Sequence, residues 1–349
     1  MTDQPPAGML QRTLSRACDI EAQETRATLA SFLLVLILMG SYYILRPVRD
    51  AMASDWTDAE VSWLWTFTFL FSVVAVSAYG GAVTRIRFQR LVPAVYSFFA
   101  ASFLLFYLGT QTLAERTLLD KSFYVWISLF SLFHISVFWS FMADTFSKPQ
   151  ATRLFGFIGA GASIGAIGGP AFAALLVGDM GTDPLLLVAS LLVLATVPVI
   201  AWIQRLKYQD LENVNVAAGS GDFDYIGGNP LAGFAEFLQS RYLLAIGLFI
   251  FFYTSIGSFV YFELKNLLTD YDRETRSQIW AMMDLVVNTL TVLVAAFATG
   301  RIAKRMGLSF TLASVPVLIA AGMLTVAAAP ILGVVVALQI VRRAGNYAI

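Results

Sequence analysis

Three side chains near the end of the first apolar run could do chemistry together. Tyr42, Arg46 and Arg49 recur at i, i+4 and i+7, so they share a helix face if the helix continues past Pro47. An aromatic ring beside two guanidinium groups suits an anion with a planar part, because Arg grips phosphate bidentately and rings stack. The same spacing also fits interfacial anchoring by snorkelling side chains, with Asp50 paired to Arg46. Arg342 and Arg343 lie deep in the last apolar run, where a substrate anion, a buried acid or snorkelling would each account for them. Asp284 shares a face with Trp280 and Asn288, and suits either a coupling proton or cation or a structural ion pair. His134, in mid-span, is a proton relay or a ring bonded to a neighbouring helix.

The elements that position these groups must be membrane helices. The 349-residue chain is 58% hydrophobic and 13% charged, against about 25% charged in soluble domains. Such a composition excludes an ordinary soluble protein and makes the lipid bilayer its first partner. Its 23 Lys and Arg match its 23 Asp and Glu, so no basic bias points to nucleic acid. One cysteine and one histidine provide neither a disulfide framework nor a ligand cluster, and no metal or cofactor is expected.

Apolar runs close to the roughly 20 residues that cross a bilayer recur along the chain. Nine complete spans are expected at Ala27 to Leu45, Val61 to Thr84, Leu91 to Thr110, Ser122 to Asp144, Leu154 to Val177, Leu185 to Gln204, Tyr242 to Leu264, Gln278 to Gly300 and Leu308 to Ala329, with a tenth from Pro330. Strand-length alternation is absent, so the fold class is an all-α bundle rather than a barrel. Cytoplasmic placement of residues 1–26 puts about twice as many Lys and Arg inside as outside, as the positive-inside rule requires. The chain then divides into a six-helix bundle at 27–204, a cytoplasmic linker at 205–241 and an incomplete bundle at 242–349. In that linker, Gly219, Gly221, Gly227 and Gly228 suit flexible chain, and Asn229 with Pro230 suits the start of a short surface helix.

An internal repeat supports the division. Gly40-Ser41-Tyr42 in the first span is echoed by Gly257-Ser258-Phe259 in the seventh, and the loop Gly81 to Arg90 is echoed at nearly the same offset by Gly300 to Ser309. The first offset carries Arg46 onto Glu263, which suggests an opposite-charge gate between two pseudo-symmetric bundles. Glycines in the fifth span fit helix packing through Gly161, Gly165 and Gly169. No strand precedes them and no Lys-Ser follows, so helix packing is much the better reading than a phosphate loop.

Gly300 to Gly307, GRIAKRMG, resembles the loop signature of the major facilitator superfamily, with Lys304 at the usual aspartate position. That resemblance implies twelve helices in two six-helix bundles around a central cavity. With Ile349 inside the tenth span, the chain reads as lacking the last two.

Two segments are more specific. Ser41 to Asp50, SYYILRPVRD, resembles the first-helix signature of the ATP/ADP translocase family, matched at Tyr42, Leu45, Arg46 and Asp50 with Arg49 for the usual lysine. Phe138 to Ala162 is similar to the family's segment joining its fourth and fifth helices, at Phe138, Trp139, Phe141, Ala151, Arg153, Gly159 and Gly161. Glu263 and Lys265 resemble the end of its seventh helix, while Ile127 stands where the family has a glutamate. The resemblance implies nucleotide antiport, with ATP or ADP as the anionic solute, in a bacterial inner membrane. Together with the span charges above, it gives candidate substrate contacts at Tyr42, Arg46, Arg49, Glu263 and Arg343, and candidate gating or coupling residues at Asp50, Asp144, Arg153, Lys265, Asp284 and His134. A non-transporting scaffold or accessory domain is the competing reading; an enzyme would find few reactive side chains here.

Overall fold

In hydrocarbon every backbone N–H and C=O must be satisfied within its own segment, so apolar runs separated by short polar turns become helices. The computed structural model describes residues 20–83, 85–211 and 237–348. Among them the order is α1 Thr25–Met52, α2 Asp58–Val83, α3 Phe88–Thr112, α4 Thr117–Thr145, α5 Lys148–Met180, α6 Asp183–Gln209, α7 Arg241–Leu267, α8 Arg273–Met306, α9 Leu308–Ala328 and α10 Leu332–Ala348. Nine of these are long and apolar enough to cross a membrane; α10 is a further helix of 17 residues. No strand occurs among the described residues. The expected glycine-rich linker, the helix start at Asn229 and residues 1–19 of the N-terminal segment lie outside them.

The helices outrun the apolar stretches because capping extends them into polar sequence. The Ser147 N–H donates to Gln150 Oε1 at 2.9 Å, so α5 begins at Lys148 rather than Leu154. Asp272 accepts from the Thr275 N–H at 2.8 Å, so α8 begins at Arg273 rather than Gln278. The Thr275 backbone and hydroxyl bonds hold the exposed Asp272 carboxyl below the usual carboxylate range. Helix α1 does run on through Pro47, as its arginine spacing requires, and α8 contains a π turn at Ala295–Thr299.

Glycines set the closest packing. A Cβ at Gly161, Gly165 or Gly169 of α5 would lie 2.6, 2.4 or 2.5 Å from the Phe32, Leu36 or Gly40 carbonyl oxygen of α1. The backbones therefore touch along three turns, whereas Gly156, Gly159 and Gly168 meet nothing within 4 Å. Buried side chains form two apolar cores. One draws on α1 to α6; the other centres on Val260, Leu264, Trp280, Met283, Val287 and Leu338 of α7, α8 and α10. Helix α1 lends Ala51 to the second core and α8 lends Ala281 to the first, so these two helices face each other at the junction.

Candidate functional site

At that junction lies a cavity of about 350 Å³, within the size range of small-molecule sites. Arg46, Arg49 and Asp50 reach it from α1, Trp65 from α2, and Tyr124 and Ser128 from α4. From the other side come Tyr253, Gly257 and Tyr261 of α7, Trp280 of α8, and Gln339, Arg342, Arg343, Asn346 and Tyr347 of α10. Arg46 and Arg49, three apart in α1, and Arg342 and Arg343, adjacent in α10, all reach the cavity wall.

Four guanidinium groups gather here with two carboxylates. Arg49 donates from Nε and Nη2 to Asp50 Oδ1 at 2.9 and 2.6 Å, and from Nη1 to Ser128 Oγ at 3.4 Å. Arg46 Nε lies 3.7 Å from Asp50 Oδ2 and 3.8 Å from Asp284 Oδ2. Arg343 Nη1 lies 2.6 Å from Asp284 Oδ1, a charge contact without hydrogen-bond geometry, which leaves the buried Arg343 nitrogens without a hydrogen-bond acceptor among the described residues. Arg342 meets only neutral groups: Gln339 Oε1 accepts from its Nε and Nη2 at 3.1 and 2.9 Å, and Tyr253 OH from its Nη1 at 3.4 Å. An isolated charge in such surroundings is costly, and the surplus of cations gives the cavity a net positive character. Aromatic rings flank these cations, with the Arg49 guanidinium 5.6 Å from the Tyr124 ring centre and that of Arg342 5.7 Å from Tyr253.

Several expected residues lie elsewhere. The Tyr42 ring does not line the cavity; it stacks on His134 at 4.7 Å, and Tyr43 is the ring beside Arg46, at 5.6 Å. The Nδ1–H of His134 points to the Phe130 carbonyl oxygen at 3.1 Å. Glu263 neither lines the cavity nor forms an ion pair among the described residues; Arg46 finds its partner across the junction in Asp284 instead. Glu263 is two residues beyond the cavity-facing Tyr261, about 200° further round the helix, which turns it away. Asp144 pairs with Lys207 at 2.9 Å, and Arg153 with Glu24 at 2.8 Å, both within α1 to α6 at the helix ends opposite the α1–α2 turn. They tie neighbouring helices and do not reach the cavity.

Lys265 belongs to a cluster that spacing alone did not reveal. At the α1–α2 turn its Nζ donates to the Trp56 carbonyl at 2.7 Å and meets Asp58 Oδ1 at 2.9 Å, while Ser54 Oγ donates to the Lys265 carbonyl at 2.8 Å. Beside it Arg273 joins Asp55 at 2.7 Å and Asp120 at 2.8 Å, and Arg276 joins Asp55 at 2.5 Å. The cluster holds α7 and α8 to the α1–α2 turn and α4. Below it Gln278 donates to the Ala174 carbonyl at 3.2 Å and Asn288 to the Ala166 carbonyl at 2.7 Å, which sews α8 to α5 down to mid-helix. At the opposite ends of these helices no ion pair joins α1–α6 to α7–α10 among the described residues. The cavity is thus sealed on one face by charge pairs that bridge two helix groups.

Two groups of apolar helices, a cationic cavity between them and a seal on one side define a carrier that crosses the membrane many times. A family model of the Major Facilitator Superfamily matches residues 31–345. The chain belongs to that superfamily; it is an integral, multi-pass membrane protein and a secondary membrane transporter. No curated protein matches it.

Proposed function

We propose that the chain carries a phosphorylated or other organic anion, such as a nucleotide, by alternating access, in the manner of an ATP/ADP antiporter. The excess of guanidinium groups over carboxylates in the central cavity is the observation that carries this reading. Arg46, Arg49 and Arg343 hold the anion, and rings such as Tyr124 and Trp65 offer its planar part a stacking surface. Asp50 and Asp284 occupy those arginines when the site is empty. Residues 27–204 and 242–349 act as the two rocking bundles, joined by 205–241. With the N-terminus cytoplasmic in a bacterial inner membrane, the Lys265 and Arg273 cluster closes the outer face and the cavity serves the inner one.

The test is uptake of labelled ATP into proteoliposomes loaded with ADP. Wild-type protein exchanges; Arg49→Ala inserts into the membrane equally well and abolishes uptake. Unchanged transport by that variant would refute the site, and absence of exchange by the wild type would refute the substrate.

A further inference from the structure

The cavity's positive surplus is not spread evenly over its four arginines. Asp50 is held closely by Arg49, and Asp284 by Arg343, so each of these cations has its own carboxylate. Arg46 touches both acids only from 3.7 and 3.8 Å. Arg342, buried like Arg343, has no carboxylate within 4.0 Å among the described residues. Its partners are an amide oxygen and a phenol, which fix its direction without offsetting its charge.

We infer that Arg342, seated against Gly257, makes this cavity select a doubly charged anion of the phosphate-monoester kind over a singly charged one of the same shape. The inference rests on reading the cavity as an anion-transport site. Gln339 and Tyr253 take three of the donors on Arg342, which leaves about two of the five guanidinium N–H groups for a ligand. A phosphate monoester carries about −2 once its second proton, with a pKa near 6, has left. That charge matches the cations lacking a close acid, Arg342 and Arg46. A sulfate ester of equal shape carries one charge and leaves one of them unmet.

Gly257 is what allows Arg342 to lie there. A Cβ at this position would stand 2.8 Å from Arg342 Nη1 and 3.3 Å from its Cζ, so any side chain displaces the guanidinium from the α7 wall. The glycine related to it by the internal repeat, Gly40, serves helix packing instead: its carbonyl is what a Cβ at Gly169 would strike, and its own Cβ would meet only the Gly165 carbonyl, at 3.9 Å. The repeat therefore preserved a glycine whose task differs between the halves, and on the second it makes room for a charge.

The test compares phenyl phosphate with phenyl sulfate at pH 8, as ligands of the full chain in lipid nanodiscs, by thermal-shift titration. Wild-type protein should prefer the phosphate by roughly tenfold or more. Arg342→Gln should remove most of that preference by weakening the phosphate far more than the sulfate, Arg342→Lys should keep part of it, and Gly257→Val should act like Arg342→Gln. If Arg342→Gln does not fold, the Gly257→Val ratio decides. Equal binding of both esters by the wild type, or an unchanged ratio in the variants, overturns the role of Arg342 and leaves the anion site standing. If the wild type binds neither ester, the anion site itself falls and this inference with it.

Discussion

Asp284 Oδ2 on α8 stands 3.8 Å from Arg46 Nε on α1, and the other oxygen of the same carboxylate stands 2.6 Å from Arg343 Nη1 on α10. One acid thereby offsets a cation from each helix group. On the proposed reading, an incoming anion displaces it from both, so binding would loosen a link between the groups at the moment it makes new ones. Ligand and carboxylate compete for the same guanidinium donors, and a carrier needs this kind of differential contact if its ligand is to shift a conformational equilibrium.

Replacing Asp284 by Asn removes that competitor and leaves a buried cation without its acid. Breaking a buried pair in this way costs about 3–5 kcal/mol. The ligand-free variant should therefore melt well below the wild type, and saturating ATP should recover more of the loss than it adds to the wild type. Melting curves with and without nucleotide decide it. Equal melting temperatures without ligand would show that Asp284 is not neutralising the arginines.

The cluster around Lys265 should govern access from its face. Lys265 is 1% exposed, while Asp58, its partner, is half exposed and can rehydrate. In a Cys18→Ser background, Ser54→Cys reports opening through reaction with a membrane-impermeant maleimide. Adding Lys265→Met should speed that labelling by roughly tenfold for each ~1.4 kcal/mol of closure lost. No acceleration would mean that the pairs do not hold the face shut.

The α1–α5 contact makes a sharp contrast available within one helix. Gly165→Val drives carbons into the Leu36 carbonyl oxygen, whereas Gly168→Val meets open space. Overpacking typically costs about 1–3 kcal/mol, and this contact is backbone against backbone, which cannot yield by changing rotamer. Gly165→Val should lose most of its folded yield by size-exclusion chromatography, and Gly168→Val should match the wild type.

His134 packs on Tyr42 and bonds its own helix. His134→Phe keeps the stack and removes the proton. Uptake within about twofold of wild type, with the same pH profile, is expected for a packing role; loss of uptake with a flattened pH profile would make the imidazole a proton carrier.

Much of this architecture was legible in the sequence because lipid makes its demands plain. Uninterrupted apolar runs announced the spans, and glycines four apart announced a close helix contact for α5, though not that α1 is its partner. Charges inside such runs, at Arg46, Arg49, Asp284, Arg342 and Arg343, stood out for the same reason. The cross-junction partner of Arg46 did not, since a linear offset equates Arg46 with Glu263 but carries no information about the rotation of α7. The face cluster was hidden for a different reason. Asp55, Asp58, Arg273 and Arg276 flank turns, where charges are ordinarily solvated, and their partners are remote in sequence, as in the 218-residue separation of Asp55 and Arg273. Nothing local to either segment signals that pairing.

The three glycines of α5 also bear on how force travels. Carbonyl oxygens of α1 nestle where side chains would stand, and so leave no compliant layer between the two helices. Side chains can absorb a displacement by changing rotamer; a backbone seam cannot. A push on α5 thus passes directly to the Phe32–Gly40 stretch of α1, so that these two helix segments should move as one body.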